Sequence, residues 1–152
     1  MNSSNPDIKI RTLTLDDLPA IKEIEKKILF SRNQEYIDVS VPEYLKKGSE
    51  KEKLGAEIDG KLVGFIIGKT RYWEAGWIDD PKSGWIVALG VLPEYQGHGI
   101  GKLLGEKLIE YFKEEKVKSL KAIVDWDQPD LINYFKSLGF SKNTKIVLQK
   151  KN

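Results

Sequence analysis

The sequence predicts a single domain of the α/β class, spanning residues 1–152, with a mixed sheet and helices on both of its faces. A chain of 152 residues is long enough to bury one core. Asp59-Gly60 separates two apolar runs and is a strong signal for a tight antiparallel hairpin. Farther along, an apolar run, a glycine-rich turn, an amphipathic helix and another apolar run follow one another. This order favours parallel pairing of the two outer runs, so the predicted sheet is mixed.

The N-terminal part is predicted to hold a strand and a helix. Residues 8–13 alternate between polar and apolar side chains, which is typical of a strand. Thr14 and the acidic residues after it predict the start of a helix. From residue 31 to residue 52 the pattern is polar and less regular, and within it residues 41–45 suit a short helix. This stretch is either a surface loop or a substrate lid. The apolar face of the first helix consists of Leu18, Ile21, Ile24 and Ile28.

The rest of the chain alternates strands and helices, with a turn predicted over residues 79–84. Gly139 follows the last helix and suits a left-handed cap. The predicted elements are, in order, strands over 53–58 and 62–67 (the second continuing towards Trp73), a buried strand over Trp85–Val91, a helix over about 102–116, a strand over 119–124, a helix over 130–138 and a last strand over 144–149. The buried face of the long helix is formed by Ile100, Leu104, Leu108 and Tyr111, with Leu103 and Phe112 beside them.

The most informative stretch lies between the buried strand and the long helix. Gly97, Gly99 and Gly101 alternate there, and glycine permits sharp turns that other residues cannot make. A turn that opens onto a helix directs unpaired N–H groups and the positive end of the helix dipole outward, which creates an anion site. Neither the dinucleotide pattern GxGxxG nor the P-loop pattern matches. A strand-to-helix turn with glycines for packing is the alternative interpretation.

The pattern that does match is Q/R-x-x-G-x-G/A, present as Gln96-Gly97-His98-Gly99-Ile100-Gly101 and preceded by V-x-P-x-x-Q. It resembles the acetyl-CoA pyrophosphate loop of the GNAT superfamily of N-acetyltransferases. Residues 10–18 resemble the first strand and helix of that family, and residues 134–140 resemble its Y-x-x-x-G-F ending. The resemblance therefore covers nearly the full chain. It implies a mostly antiparallel sheet with a central, splayed parallel strand pair.

The resemblance also implies how acetyl-CoA is bound as a co-substrate. The backbone of Leu89, Gly90 and Val91 would pair with the pantetheine arm as an added strand would. Gln128 stands where relatives often carry an Asn that contacts the cofactor, and Phe135 belongs to the same expected site. The pyrophosphate would be held by the main chain of the loop, which consists of Gln96, Gly97, His98, Gly99, Ile100, Gly101 and Lys102. The side chain of His98 is expected to point to solvent and to take no part in catalysis.

The catalytic groups are where this sequence departs from the family pattern. Many relatives carry a tyrosine acid four residues before the Gly-Phe pair, and Phe135 occupies that position. Tyr134 is adjacent, but one residue rotates a helix position by about 100 degrees. Its role is therefore either core packing or that of the acid. Some relatives have a carboxylate base at the position of Ile123; Asp125 lies on the same strand face and is the candidate base, through a bridging water. The alternative for Asp125 is a solvated strand end.

The composition excludes several classes of site. With no cysteine, the chain has no disulfide, thiolate metal site or cysteine nucleophile, and one histidine excludes an imidazole-rich metal site. A net charge of +2, with Lys and Glu intermixed, argues against a nucleic-acid-binding stripe. The sequence lacks a signal-peptide pattern and an apolar run of the length that spans a membrane. We therefore expect a cytoplasmic protein without metal, nucleic-acid or membrane partners.

Two functions of different class follow from these observations. The first is an acetyl-CoA-dependent N-acetyltransferase acting on a primary amine of a small molecule or protein. The second is a GNAT-fold module that binds CoA or acetyl-CoA without turnover, and Phe135 keeps it open. A homodimer is compatible with the sequence. One group of residues forms either an aromatic and acidic mouth for a cationic amine or the exposed end of a hairpin: Trp73, Glu74, Trp77, Asp79 and Asp80.

Overall fold

A computed structural model describes residues 7–31, 41–72 and 80–152. Its sheet has five strands in the order β1-β2-β3-β4-β5, antiparallel except for the parallel pair β4–β5. The predicted α/β class with a mixed, mostly antiparallel sheet is thereby confirmed. The strands are β1 (Lys9–Thr12), β2 (Lys53–Ile58), β3 (Lys61–Tyr72), β4 (Lys82–Val91) and β5 (Leu120–Lys121), and the helices are α1 (Leu18–Ser31), α2 (Val41–Lys46), α3 (Ile100–Glu114) and α4 (Pro129–Ser137).

Short-range signals in the sequence account for the turns that connect these elements. Asp59 and Gly60 have φ angles of 50° and 77°, which is the left-handed geometry of a two-residue hairpin turn. Thr14 and Asp17 form a reciprocal capping box before α1. The carboxylate of Asp17 also accepts two hydrogen bonds, of 2.8 Å and 2.7 Å, from the guanidinium of Arg11. This contact lowers the pKa of Asp17 below its ordinary value of 3.8. Each of these turns was predicted from its residues.

The core is built from two helices that pack on opposite faces of the sheet. A β-carbon added to Gly90 of β4 would contact Ile24 and Ile28 of α1, whereas one added to Gly84 of the same strand would contact Phe112 of α3. Ile24 and Phe112 are each at most 1% exposed. The two strand glycines thus let each helix approach the sheet backbone closely, and the predicted placement of helices on both faces is confirmed.

The parallel pair β4–β5 is short and opens into a wedge. The two strands pair only at Gly84 with Leu120 and at Trp85 with Lys121. On its other side, β4 stays paired with β3 as far as Val91, with a register shift that leaves one extra residue, Val87, between the pairs made by Ile86 and Ala88. From residue 86 onward, the edge of β4 that faces β5 has no strand partner among the described residues. The splayed pair implied by the family resemblance is therefore present.

Two predictions at the C-terminus are wrong for the single chain. Residues 144–149, predicted as a last strand, form neither strand nor helix. The strand predicted over 119–124 consists only of Leu120 and Lys121. Both differences have one physical reason, because a strand forms only where a partner edge is available, and these two stretches do not pair with one another. As a result β5 is the edge strand of the described sheet, and the parallel pair lies at the edge rather than at the centre.

Smaller differences concern element boundaries. Helix α3 begins at Ile100, two residues before the predicted start, and β4 begins within the stretch predicted as a turn. Helix α2 confirms the short helix expected near residue 41. Residues 32–40 of the predicted loop-or-lid stretch lie outside the described residues. The predicted continuation of β3 to Trp73 also lies outside them. No described helix combines the length and the apolar character that crossing a bilayer requires.

Candidate active site

A cleft of about 410 Å³ occupies the wedge between β4 and β5. One wall is the partnerless edge of β4 and the opposite wall is the chain that follows β5. The rest of the lining comes from the glycine loop, the first turn of α3 and helix α4. The lining residues are Ile28, residues 86–91, Tyr95, Gln96, Gly97, residues 99–102, residues 122–124, Asp130, Leu131, Tyr134 and Phe135. Backbone groups of β4 therefore face an open space of the size of a ligand pocket.

The glycine loop and the first residues of α3 line this cleft. Gly97 and Gly99 have φ angles of 85° and 81°, and a β-carbon on either would meet nothing within 4 Å. Open space thus lies in front of the loop, and its backbone shape is one that favours glycine. The first intrahelical bond of α3 runs from the N–H of Leu103 to the carbonyl of Gly99 (2.9 Å). The N–H groups of Ile100 and Gly101 precede it at the positive end of the helix dipole, as an anion site requires.

Gly101 differs from Gly97 and Gly99 because it is not a left-handed turn residue. It lies inside α3 and does not have a positive φ. A β-carbon there would come within 3.3 Å of the ring of Tyr134. Gly105, one turn later, is tighter still, because its β-carbon would lie 2.7 Å from the Tyr134 hydroxyl and 2.6 Å from Leu138. These two glycines allow α4 to pack against α3. The spacing of four residues between them is the signal that the sequence analysis missed.

The strand and the loop are tied together by Gln96. Its side-chain amide donates a 2.9 Å hydrogen bond to the carbonyl of Val91. The N–H of Leu92 in turn donates to the carbonyl of Val63 on β3 (2.8 Å). The first bond joins the glycine loop to the end of β4, and the second joins that end to β3. The side chain of Gln96 thus acts within the protein, and it also lines the cleft.

Tyr134 and Phe135 both line the cleft, on adjacent positions of α4. The Tyr134 hydroxyl donates a 2.6 Å hydrogen bond to the carbonyl of Gly101. Burial, with a smaller contribution from the charge of Glu106, raises the pKa of this hydroxyl to about 12. Phe135 is 6% exposed and packs edge-on against Phe140. The hydroxyl is therefore engaged with the first turn of α3, and the residue beside it offers no proton.

Three residues expected at the site are not among those that line the cleft. The side chain of His98 is exposed, as anticipated for a spacer between the loop glycines. Gln128 is the N-cap residue of α4 but makes no side-chain capping bond. Asp125 is exposed and follows the end of β5 by four residues, so the strand-face argument that linked it to position 123 does not apply.

Several residues of the cleft were not predicted from the sequence. Tyr95 belongs to the turn before the loop, and Ala122 and Val124 form the wall opposite β4. Asp130 places a carboxylate in the first turn of α4, where its position directly after Pro129 was a usable helix-start signal. The wall residues could have been anticipated from the splay itself, because divergent parallel strands expose the residues that follow the last pair.

The acidic mouth considered from the sequence is represented among the described residues by Asp80. Its carboxylate accepts hydrogen bonds from the hydroxyl of Ser119 and from the ammonium of Lys121, the latter at 2.7 Å. Although burial opposes ionisation, these two bonds lower the pKa of Asp80. Asp80 is thus a partly buried partner of Lys121 and is not among the residues that line the cleft. The other four residues of that group lie outside the described residues.

The chain is similar to known acetyltransferases in sequence and in fold. The sequence model described as the acetyltransferase (GNAT) family matches residues 18–140. A mycothiol acetyltransferase of Tsukamurella paurometabola is 30% identical over 93 residues, which is 60% of this chain. The chain spans only 29% of the length of that relative. An N-alpha-acetyltransferase of Sulfurisphaera tokodaii is 29% identical over 145 residues, covering 93% of this chain and 84% of that protein.

Among solved structures, an aminoglycoside N-acetyltransferase in complex with CoA superposes with a TM-score of 0.74. The superposition covers 99% of both chains at 15% sequence identity. At that identity the likeness concerns the fold alone.

Proposed function

The chain belongs to the acetyltransferase (GNAT) family, and from this premise we propose that it transfers an acetyl group from acetyl-CoA to a primary amine of a small molecule or protein. The observation that carries the proposal is the juxtaposition of two binding surfaces in one cleft. The edge of β4 that has no strand partner among the described residues lies in the same cleft as the N-terminus of α3, and the loop glycines before that helix border open space. An extended amide-containing arm suits the first surface, and a pyrophosphate suits the second.

The residues present fit acetyl-CoA. Leu89, Gly90 and Val91 line the cleft beyond the last pair that β4 makes with β5. Alternate residues of a strand direct their N–H and C=O groups to the same edge, and the carbonyl of Val91 already accepts from Gln96. The backbone from Gly97 to Lys102 would hold the pyrophosphate, with the Lys102 side chain available to its charge. Bound there, acetyl-CoA supplies the activated thioester. A backbone N–H near the end of β4 would polarise the thioester carbonyl without any special side chain.

The acetyl transfer requires a proton to leave the amine and the thiolate to be accommodated. Phe135 has no proton to donate, and the Tyr134 hydroxyl is hydrogen-bonded to Gly101. We therefore assign Tyr134 a packing role, and the departing thiolate takes its proton from water. A thiol with a pKa near the ~8.5 of cysteine is a leaving group good enough for this. Asp125 is the proposed base; because it lies outside the cleft lining, it would act through a bridging water.

A binding module without turnover is the second candidate function, and Phe135 is the observation that favours it. A thiol-release assay separates the two. The chain contains no cysteine, so a thiol reagent such as DTNB reports only the CoA that is set free. The acceptor panel includes an aminoglycoside, because one structural neighbour is an aminoglycoside N-acetyltransferase. It also includes peptides with a free α-amine, because one relative is an N-alpha-acetyltransferase. Release of CoA that depends on the amine supports the enzyme. Tight CoA binding without release by any amine supports the module.

The cofactor assignment has its own test, in which Gly99→Val is compared with Gly60→Val. Both glycines have a positive φ, 81° and 77°, and a β-carbon on either meets nothing within 4 Å. The backbone strain is therefore matched at about 1–2 kcal/mol, but Gly60 is in the β2–β3 turn. We expect Gly99→Val to weaken CoA binding by calorimetry about tenfold or more, since ~1.4 kcal/mol is a factor of ten. Unchanged affinity in a folded Gly99→Val protein contradicts the assignment.

The remaining partners are proposed from the sequence. The identity of the acceptor amine is open within the class of primary amines, and the panel above addresses it. The cytoplasmic location stays a prediction that fractionation of cells making the protein would test. A homodimer also stays a prediction at this point, and the edge of the sheet supplies a specific surface for it.

A further inference from the structure

Two exposed apolar segments lie in the C-terminal third of the chain. Ile123 and Trp126, in the stretch after β5, are 77% and 89% exposed. The second segment, near the C-terminus, contributes three consecutive side chains that are 75–86% exposed: Ile146, Val147 and Leu148. Single exposed apolar residues are common, but two such groups in one small domain are typical of a surface that binds a protein.

The C-terminal segment has the composition of a strand without being one. Residues 144–149 read Thr-Lys-Ile-Val-Leu-Gln, in which β-branched and apolar residues dominate. In the single chain this stretch has no regular structure. A strand requires backbone partners, so the segment is one that would become ordered on an available sheet edge.

Such an edge is present at β5. The sheet order places β5 last, and its only described strand partner is β4. The chain after it, residues 122–125, carries backbone groups without regular pairing. Unprotected edges of this kind accept an additional strand, from the same protein or from another.

The charges of the two stretches are complementary. Residues 141–152 contain four lysines and no acidic residue: Lys142, Lys145, Lys150 and Lys151. Residues 122–130 contain three aspartates and no basic residue: Asp125, Asp127 and Asp130. Electrostatic attraction therefore favours placing the first stretch beside the second, and it opposes pairing either stretch with a copy of itself.

We propose that residues 144–149 of one copy add as a strand to the β5 edge of a second copy, and that the exchange is reciprocal. Each copy carries both halves of the contact, so a two-fold dimer uses the apolar segment and the edge of both chains at once. In the single chain the segment does not pair with its own edge. The exchange thus covers Ile123 and Trp126 as well as the C-terminal apolar residues, and it does not depend on the proposed enzymatic activity.

Light scattering coupled to gel filtration, over a range of concentrations, tests the assembly. We expect a mass of twice the 17.3 kDa of one chain. The double variant Ile146→Asp/Leu148→Asp places carboxylates beside the aspartates of the edge and should raise the dimer dissociation constant at least 100-fold. Leu15→Asp is the matched control, because Leu15 is also an exposed leucine, at 46%, but lies before α1. A monomer at every concentration, or a dimer that is unaffected by the double variant, overturns the proposal.

Cysteine pairs test which edge the segment occupies, since the natural chain has none. An Ile123→Cys protein mixed with a Leu148→Cys protein, and oxidised with copper phenanthroline, should give a disulfide-linked heterodimer in preference to either homodimer. The chain that carries both substitutions should then give linked dimers. An intramolecular disulfide in a monomeric double variant would show that the segment folds back on its own edge, which contradicts exchange. Circular dichroism confirms that each variant is folded.

Discussion

Replacing Tyr134 with phenylalanine removes one hydroxyl and tests the assignment of the catalytic groups. The lost contact is the 2.6 Å hydrogen bond to the carbonyl of Gly101. That carbonyl lies inside α3, where helical geometry gives it a second donor four residues on, so it is not left unpaired. The stability cost should therefore lie near the lower end of the ~0.5–1.5 kcal/mol typical of a hydrogen bond. For a chain of this size, each kcal/mol of lost stability lowers Tm by roughly 2–4 °C.

Turnover responds differently in the two interpretations of this residue. If Tyr134 is a packing residue, kcat of Tyr134→Phe should stay within about tenfold of the parent value, below the ~10²–10⁴ contributed by a general acid. The apparent KM for acetyl-CoA should rise modestly, because the hydroxyl supports the first turn of α3. Burial raises the pKa of Tyr134 to about 12. The pH–rate profile between pH 6 and 10 should therefore show no inflection from this residue.

The assay is steady-state thiol release with the best acceptor of the panel, together with thermal unfolding. Tyr111→Phe is the control, since Tyr111 is a partly buried tyrosine of α3 that does not line the cleft. It should change Tm without changing the KM for acetyl-CoA. A loss of about 100-fold or more in kcat for a folded Tyr134→Phe protein would refute the reasoning and identify Tyr134 as the acid.

Three further predictions concern single groups. Asp125→Asn should lower turnover about 10²-fold at neutral pH, and the loss should shrink as pH rises because the amine then deprotonates unaided. Asp127→Asn is the exposed control. Equal rates for the parent and both variants from pH 6 to 9 would contradict the assignment of Asp125 as the base. The bonds from Arg11 lower the pKa of Asp17 below its ordinary value of 3.8, so the stabilisation is present above that pH and is lost as pH falls below it. Urea unfolding should show this acid-side loss in the parent and a flatter profile in Asp17→Asn. Gly105→Ala should destabilise by about 1–3 kcal/mol by the same method, because its β-carbon would lie 2.7 Å from the tyrosine hydroxyl of α4.

Local signals in the sequence were sufficient for the features that a few neighbouring residues determine. The hairpin at Asp59-Gly60 and the cap at Gly139, with a φ of 95°, were predicted because those conformations favour these residues wherever they occur. The glycine loop was predicted for the same reason. Its two left-handed residues, Gly97 and Gly99, have the backbone geometry that the pattern requires. The position of the cleft then followed from the order of strand, loop and helix.

Features that depend on a partner were not predictable in this way. Residues 144–149 have the composition of a strand, but composition does not indicate whether an edge is free to receive them. The extent of β5 was overestimated because strand alternation continues to Val124, whereas the hydrogen bonds stop at Lys121. The side on which Asp125 lies was inferred from that same alternation. The inference fails because side chains alternate between two faces only within a strand, and Asp125 lies beyond the end of β5.

The order of two aromatic residues in α4 links the fold to the chemistry. Phe135 lines the cleft at the position where the family resemblance implies a tyrosine, and Tyr134 donates its hydroxyl to the carbonyl of Gly101 instead. Tyr134 thus contributes to holding the first turn of α3, and the small size of Gly101 and Gly105 allows it to approach. On the proposed function, binding of the pyrophosphate and protonation of the leaving thiolate are therefore separable steps. Variants of α4 should affect the first through KM for acetyl-CoA, while the second depends on the thiol and on water.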